Sequence, residues 1–158
     1  MHDAVRLGED FHDLLIVFHV IETQGAALAV KHLGGQAALD ADGAPASLST
    51  ETIMVDLDSL SFDVWEVMFV LSVYNGVQND QTFDVLREAV LTIDNADTKE
   101  NIARMSFSGH KLDEATAVKV AEIKREGVAW HYTALIEPVK EGLADIAKGY
   151  GLLISSTT

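Results

Sequence analysis

The sequence predicts a mainly β protein, an antiparallel β-sandwich that ends in one short α-helix. The order of the segments carries this prediction. Strand-like segments follow one another along most of the chain without strand–helix–strand alternation, and one amphipathic segment closes the series. The chain has 158 residues, 48% hydrophobic and 23% charged, so we expect a single domain over residues 1–158 with a sizeable core.

The first two strands are predicted upstream of residue 36. Segment 13–22, DLLIVFHVIE, is rich in β-branched and aromatic residues and is typical of a buried strand. Segment 26–35, AALAVKHLGG, predicts a weaker strand that ends at two glycines. Residues 36–50 contain Gly, Pro, Ser and other small residues without periodicity, so we expect a long loop there.

The middle of the chain predicts one half-buried and one fully buried strand. Segment 51–57 alternates, with Ile53, Val55 and Leu57 on one face. Segment 64–74 is almost wholly apolar, which favours a central strand covered on both faces. The dipeptide Asn75-Gly76 then predicts a turn.

Two hairpins and a helix are predicted in the last part. Strands at 89–94 and 102–107 flank the polar loop NADTKEN, and strands at 118–124 and 128–135 flank Arg125-Glu126-Gly127. The helix is expected to begin at Glu137-Pro138, because proline suits a first helical turn, and to end at Lys148-Gly149.

The charge balance restricts the classes of partner. Eleven Lys and Arg against 25 Asp and Glu give a net charge of −14. Such a surface repels phosphate backbones and anionic lipid but attracts cations and basic partners. The alternative explanation of the negative charge is solubility alone. We therefore expect no nucleic-acid partner and no membrane insertion. No apolar run reaches about 18 residues and the first residues lack a signal-peptide pattern, so a cytoplasmic location is expected.

The sequence gives no positive sign of an enzyme. It has no cysteine, which removes disulfides, thiolate metal sites and a cysteine nucleophile. Nucleophile-elbow, phosphate-loop, dinucleotide-binding and metalloprotease motifs are all missing from it. His131 stands between Trp130 and Tyr132 on a predicted strand, so it is expected to face away from both, at the surface. We assign those two aromatic residues to packing.

A series of short motifs follows in a set order from residue 51 to residue 151. The motifs are Glu51-Thr-Ile-Met-Val-Asp56-Leu57, the apolar run ending at Tyr74, Gln81-Thr-Phe83, Ile102-Ala103-Arg104, Glu114-Ala-Thr116-Ala117, Trp130 with Tyr132 and Ala134, Gly142-Leu143, and Tyr150-Gly151. In residue type and order this series resembles the TerD family of bacterial tellurium-resistance and general stress proteins. The resemblance implies a non-enzymatic stress-response protein, connected with tellurite, phage or envelope-stress resistance, that acts as an interaction or scaffold subunit.

The resemblance is thinner before about residue 50. Segments 16–18 and 29–34 look like one family strand and the Lys-His-Leu-Gly that follows it, but the family's opening strands, with a calcium motif, have no counterpart. The family's second calcium-linked loop is replaced after Gly34 by an unrelated segment that retains only Glu51 at its acidic end. This comparison implies a diverged member whose calcium sites are partly or wholly lost.

One acidic segment still offers calcium ligands. Asp40-Ala-Asp42-Gly43 places two carboxylates beside a flexible glycine, and Glu51 could complete the set. The next residues, Ala44-Pro45-Ala46, supply no side-chain oxygen, so a solvated acidic loop is the competing interpretation. The alternative function is accordingly a calcium-dependent binding module that uses residues 40–51.

The missing opening strands also predict a partner. Their absence would leave a sheet edge exposed, and such an edge is a template for pairing with another chain. We therefore expect a homo-oligomer, or a hetero-assembly with other TerD-like proteins.

Overall fold

The computed structural model describes the backbone of residues 4–6, 15–22, 30–39, 45–73, 75–86, 88–112 and 114–151, and, from residue 52 onward, their side chains except that of Val85. The strands are β1 (Ala4–Arg6), β2 (Leu15–Glu22), β3 (Val30–Leu39), β4 (Pro45–Val55), β5 (Glu66–Val73), β6 (Ala89–Asp94), β7 (Asn101–Phe107), β8 (Ala117–Glu126) and β9 (Ala129–Val139), and the helices are α1 (Gly76–Asn79) and α2 (Leu143–Gly149). The predicted order of many strands before one terminal helix is confirmed.

The main layer is an antiparallel sheet of five strands in the order β1-β2-β5-β8-β9. Strand β5 lies in the middle of this sheet, and side chains on both of its faces are buried, among them Val67 and Val70. An apolar run without alternation is what a strand covered on both faces requires. The predicted central strand is thereby confirmed.

A second layer packs on one face of the main sheet. It consists of two hairpins, β3-β4 and β6-β7, each a two-stranded sheet. Ile53 and Val55 from β4 and Leu91 from β6 pack against the core that includes Phe69 and Val118 of the main sheet. Both predicted hairpins of the C-terminal half are present, and the alternation predicted for residues 51–57 matches the alternating burial of residues 52–57. The layers form the predicted sandwich.

Helix α2 covers part of the opposite face of the main sheet. Its Ile146 packs with Met68, Val70 and Ala117, all of them buried. With seven residues, α2 is short, and it leaves room on this face for charged side chains of β8 and β9. Within the described part of the chain, no helix has the length and apolar character needed to cross a membrane.

A β-bulge in β8 sets which side chains reach each face. In the pairing of β5 with β8, Phe69 lies opposite Ala121 and Val70 opposite Lys119, so Val120 is the additional residue. Val120 and Ala121 both belong to the sandwich core as a result. The neighbouring strand is irregular at the same level, where Ile136 has a left-handed φ of 55°.

The prediction of a long loop over residues 36–50 is wrong. Strand β3 continues through Leu39 and β4 begins at Pro45. Register pairs such as Gln36 with Thr50 and Ala37 with Ser49 sustain this hairpin. Backbone pairing needs no hydrophobic alternation, which explains why the small and polar side chains misled the prediction.

The predicted start of the last helix is also wrong. Pro138 lies in β9, opposite Val118, and α2 begins only at Leu143, after Gly142. Proline lacks a backbone donor, but β9 is at the edge of the sheet, where one ladder hydrogen bond can be spared. The glycine adopts a φ of 82°, which marks the actual junction between strand and helix.

The two edges of the main sheet differ in how well they are protected against pairing with a further strand. At one edge β1 pairs only with Leu15–Val17, and within the described ranges no strand lies on that side of Phe18–Glu22. At the other edge, β9 carries Pro138 and the irregularity at Ile136, two devices that discourage further strand pairing.

Candidate functional site

The structure leaves the predicted calcium ligands untested. Asp40 and Asp42 lie outside the described residues, and Glu51 is placed only by its backbone, opposite Gly35 in the β3-β4 hairpin. Among the side chains that are described, no three His, Asp or Glu residues are grouped so that they could hold a metal ion. Calcium binding by residues 40–51 stays a prediction.

One groove near α1 is lined by acidic side chains. Its volume is about 410 Å³, and Asp80, Asp84 and Glu114 line it. Lys140 also lines it and places its Nζ 3.5 Å from a carboxylate oxygen of Glu114. This lysine offsets one of the three carboxylates that line the groove.

A second groove lies between α2 and the outer face of the main sheet. It has a volume of about 320 Å³ and is lined by Lys119, Asp145 and Tyr150, among others. The Lys119 Nζ lies 3.4 Å from a carboxylate oxygen of Glu137, and the Tyr150 hydroxyl donates a 3.1 Å hydrogen bond to Glu66. Burial, and then the negative charge of Glu66, raises the pKa of Tyr150 well above its ordinary range, so this hydroxyl keeps its proton.

Large apolar side chains are exposed together at one end of the sandwich. Phe62 is 81% exposed and Trp65 is 52% exposed, both in the connection between β4 and β5. Val128, at the tip of the β8-β9 hairpin, is fully exposed. With Arg125 and Trp130 of the same hairpin, these residues are termed the aromatic patch.

Arg125 holds the aromatic patch together. Its guanidinium lies over two rings, with its Cζ 4.5 Å from the ring centre of Trp130 and 5.3 Å from that of Phe62. Its Nη2 donates hydrogen bonds of 3.1 and 3.3 Å to the carbonyls of Leu60 and Ser61. The backbone N–H of Arg125 donates to the carbonyl of Trp65 at 2.8 Å. One side chain thus joins the β4–β5 connection to the β8-β9 hairpin.

The local sequence forces Phe62 outward. Leu60 and Val64, two residues before and after it, are both buried and anchor the segment. The Asp56 carboxylate accepts hydrogen bonds from the Ser59 N–H at 3.2 Å and the Ser59 hydroxyl at 2.7 Å, and these bonds close the turn that precedes the segment. Phe62 itself lies in a turn that is closed by a 3.0 Å hydrogen bond from the Val64 N–H to the Ser61 carbonyl, and the turn leaves its side chain exposed.

Exposed carboxylates occur in the same segments as the aromatic patch, but that of Glu126 lies beside His131, on the face of the β8-β9 hairpin opposite Arg125 and Trp130. Asp58 and Asp63 are exposed in the β4–β5 connection, and the side chain of Glu126, next to Arg125, is 73% exposed. The Glu126 carboxylate lies 3.6 Å from Nε2 of His131, which is itself exposed. The predicted surface position of His131 is confirmed.

The aromatic patch is not among the sites predicted from the sequence. The assignment of Trp130 and Tyr132 to packing is confirmed, since both pack against the core. Phe62 and Trp65 were not singled out, although two aromatic residues three positions apart in the acidic turn segment DSLSFDVWE were a usable signal.

The family model described as TerD domain matches residues 12–150. "Chemical-damaging agent resistance protein B" of Clostridium acetobutylicum is 25% identical over 124 residues, which are 78% of this chain and 85% of that protein. "Tellurium resistance protein TerD" of an Alcaligenes species is 26% identical over 124 residues, 78% of this chain and 62% of that protein.

A third relative extends the comparison to general stress proteins. "General stress protein 16U" of Bacillus subtilis (strain 168) is 26% identical over 104 residues, which are 66% of this chain and 53% of that protein. The chain thus spans between half and two thirds of the length of this relative and of the Alcaligenes one. Since the family model covers most of the sequence, the chain belongs to the TerD domain family.

Proposed function

We propose that this chain is a non-enzymatic stress-response protein, which works as an interaction subunit and contacts its partner through the aromatic patch. The names of its relatives, which refer to tellurium resistance, chemical-damage resistance and general stress, support the stress-response part. The proposal that the chain works as an interaction subunit is supported by the exposure of the aromatic patch.

The exposure of the aromatic patch is the observation that carries the proposal. Phe62, Trp65 and Val128 are large apolar side chains, each more than half exposed, at the same end of the sandwich. Scattered apolar residues on a surface need no explanation, but aromatic residues and arginine together are the residue types that concentrate in protein interfaces. Phe62 and Arg125 are moreover held in place by contacts within the chain, so little ordering would be needed on binding.

The two grooves support a non-enzymatic role. The lysine of each groove forms an ion pair within the chain, Lys119 with Glu137 in one groove and Lys140 with Glu114 in the other. The Tyr150 hydroxyl is a donor to Glu66 and has a raised pKa, which is opposite to what a general base requires.

The partner class is an expectation from the family. We propose a homo-oligomer or a hetero-assembly with other TerD-like proteins, as the exposed sheet edge first suggested. Within the described ranges β1 pairs only with Leu15–Val17 of β2, which supports an open edge on that side. A cytoplasmic location stays a prediction.

A double variant, Phe62→Ser with Trp65→Ser, tests the proposal. Its matched control is Val90→Ser with Ile102→Ser, which removes two exposed apolar side chains from the β6-β7 hairpin. The two proteins and the wild type are compared by sedimentation velocity, by co-purification with the TerD-domain proteins of the host, and by survival on tellurite.

We expect the patch variant to lose assembly and resistance while its thermal melting stays close to that of the control. Assembly and resistance at wild-type level in the patch variant would show that the aromatic patch is not the interaction surface.

A further inference from the structure

We propose that Asn75-Gly76 is a site of spontaneous deamidation, which the native backbone slows and which requires helix α1 to open. The isoaspartate product of this reaction would no longer support α1. The change would take place at the acidic groove near α1, because Gly76 and Asp80 both line that groove. The inference is independent of the aromatic patch and goes beyond the proposed function.

The turn before α1 favours the two residue types that it contains. Asn75 has a φ of 50° and a ψ of 29°, a left-handed conformation that asparagine adopts more readily than most residues with a side chain. A Cβ at position 76 would lie 2.8 Å from the carbonyl oxygen of Gln81 and 2.9 Å from the Cβ of Val73. The fold therefore places a glycine directly after an asparagine, where no side chain shields the peptide nitrogen.

An asparagine followed by glycine is chemically reactive. The backbone nitrogen of Gly76 attacks Cγ of Asn75 and forms a C–N bond that closes an imide ring. The side-chain nitrogen of Asn75 takes the proton that Gly76 loses and leaves as ammonia. Water then opens the ring at either carbonyl, and the product is aspartate or isoaspartate. Water is the only co-reactant, and no electrons are gained or lost.

The native backbone keeps the reacting atoms apart. Ring closure needs the Gly76 nitrogen on the same side of the Cα–C bond as the Cβ of Asn75. A ψ of 29° instead turns that nitrogen toward the backbone nitrogen of Asn75, almost opposite Cβ. The Asn79 N–H fixes this arrangement by donating a 2.9 Å hydrogen bond to the Asn75 carbonyl. The Gln81 N–H donates to the Gly76 carbonyl, also at 2.9 Å. Deamidation therefore requires a rotation about ψ of Asn75 that α1 opposes.

Opening of α1 needs little disruption of the core. The helix has four residues, Gly76–Asn79, of which only Gly76 is buried. Asn75 is exposed, and its side chain makes no capping hydrogen bond. Short exposed turns open locally at a lower free energy than the whole domain. Asn75 therefore reaches the reactive geometry in a chain that is otherwise folded.

The other asparagines of the chain provide an internal comparison. Asn79, Asn95 and Asn101 are each followed by a residue with a side chain. The Asn95 Oδ1 accepts a 2.9 Å hydrogen bond from the Asp97 N–H, and the Asn101 Nδ2 donates a 2.8 Å hydrogen bond to the Asp94 carboxylate. We expect these side chains to react more slowly than that of Asn75.

Peptide mapping by mass spectrometry tests the site. The whole protein is kept in a warm, mildly alkaline buffer, with and without urea, and conversion of each asparagine is followed over time. We expect Asn75 to convert first in the folded protein, and to convert about tenfold or more faster in urea, where rotation about ψ is unrestricted. The matched control is Asn75→Gly, because glycine keeps the left-handed turn and carries no amide. This variant should melt like the wild type and gain no negative charge at the turn on storage.

The effect on α1 is tested on the separated products. Anion exchange isolates the deamidated fractions, and hydrogen exchange read by NMR reports the amides of Asn79 and Gln81, which donate to the turn. Isoaspartate lengthens the main chain at residue 75, so both amides should lose protection in that fraction. Asn75→Asp adds the charge without lengthening the chain, and its amides should stay protected.

Three results would overturn the inference. They are conversion of Asn75 no faster than that of Asn95 in the folded protein, equal conversion of Asn75 with and without urea, and an isoaspartate fraction in which Asn79 and Gln81 are as protected as in the wild type. Each result concerns the turn before α1. Failure of the proposed function is recognised separately, by wild-type assembly and tellurite survival in the patch variant.

Discussion

The hydroxyl of Tyr150, just after helix α2, donates a 3.1 Å hydrogen bond to the carboxylate of Glu66 at the start of β5. Glu66 is only 5% exposed, and its position on the helix-facing side of the sheet brings it directly under the end of α2. A buried carboxylate needs donors, and this hydroxyl is one of them. The packing of α2 on the sheet therefore also supplies a hydrogen-bond donor to the buried Glu66 carboxylate.

Tyr150→Phe removes this donor and keeps the ring. We expect a loss of about 1–3 kcal/mol in the free energy of unfolding, because Glu66 then keeps its burial but loses a hydrogen bond. Urea unfolding measures the change. The control is Tyr132→Phe, since Tyr132 packs against the sandwich core at a distance from α2. Equal changes in the two variants would contradict the importance of the Glu66 contact.

Alkaline pH should destabilise the protein through the same residue. Burial and the charge of Glu66 raise the pKa of Tyr150 above its ordinary value of 10.0. Above pH 10 the unfolded chain releases this proton while the folded chain retains it, so stability falls as pH rises toward the folded pKa. Lys124, whose pKa is raised chiefly by its hydrogen bond with Glu122, acts in the same direction.

The measurement is the urea midpoint between about pH 9 and about pH 11, for the wild type and Tyr150→Phe. The variant should show a shallower fall, because only the Tyr150 contribution is removed. A fall of unchanged steepness would mean that Tyr150 ionises with the same pKa in the folded and unfolded chain.

The sequence predicts those strands whose buried side chains produce a recognisable pattern of apolar residues. Segment 64–74 and the two C-terminal hairpins were predicted in place, because each buries apolar side chains on one face or both. The strand predicted at 13–22 is matched by β2, Leu15–Glu22. The hairpin around residues 36–50 was missed, since its pairing depends on backbone hydrogen bonds between small residues. The helix start was missed because Pro138 suits an edge strand as well as a first helical turn.

The candidate site was harder to predict for a different reason. Whether Phe62 is in the core or in solvent depends on the turn from Ser61 to Val64 and on Arg125, which approaches from a strand more than 60 residues away in the chain. Local periodicity carries no information on such a contact. The acidic residues for which calcium binding is predicted, Asp40 and Asp42, lie outside the described residues.

Gly109 should not tolerate a side chain. It lies in the connection between β7 and β8, and a Cβ there would overlap the carbonyl of Phe83 and come within 2.8 Å of the carbonyl oxygen of Leu86. Backbone atoms cannot rotate away as a side chain can, so Gly109→Ala should cost about 1–3 kcal/mol or more in unfolding free energy. Gly149→Ala is the matched control.

The two alanine substitutions should change stability in opposite directions. No atom lies within 4 Å of a Cβ at Gly149, which is the last residue of α2. Alanine is preferred over glycine in helices by about 0.5–1 kcal/mol, so Gly149→Ala should be neutral or stabilising. Thermal melting compares the two variants. A Gly109→Ala protein as stable as Gly149→Ala would contradict the close approach of the Phe83 and Leu86 carbonyls to Gly109.

Arg125→Lys tests the residue that organises the aromatic patch. Lysine keeps the positive charge but cannot present a planar guanidinium to the carbonyls of Leu60 and Ser61 while it covers the Trp130 ring. We expect a loss of about 1–3 kcal/mol in unfolding free energy. We also expect faster amide exchange in the β4–β5 connection, because the segment around Phe62 is no longer tied to β8.

Arg104→Lys is the matched control for this change. Arg104 is an exposed residue of β7, so the same substitution there should alter stability by no more than about 0.5 kcal/mol. Hydrogen exchange followed by mass spectrometry, together with urea unfolding, compares the two variants. If Arg125→Lys exchanged and unfolded like Arg104→Lys, Arg125 would not be the residue that holds Phe62 in position, and the aromatic patch would owe its shape to Leu60 and Val64 alone.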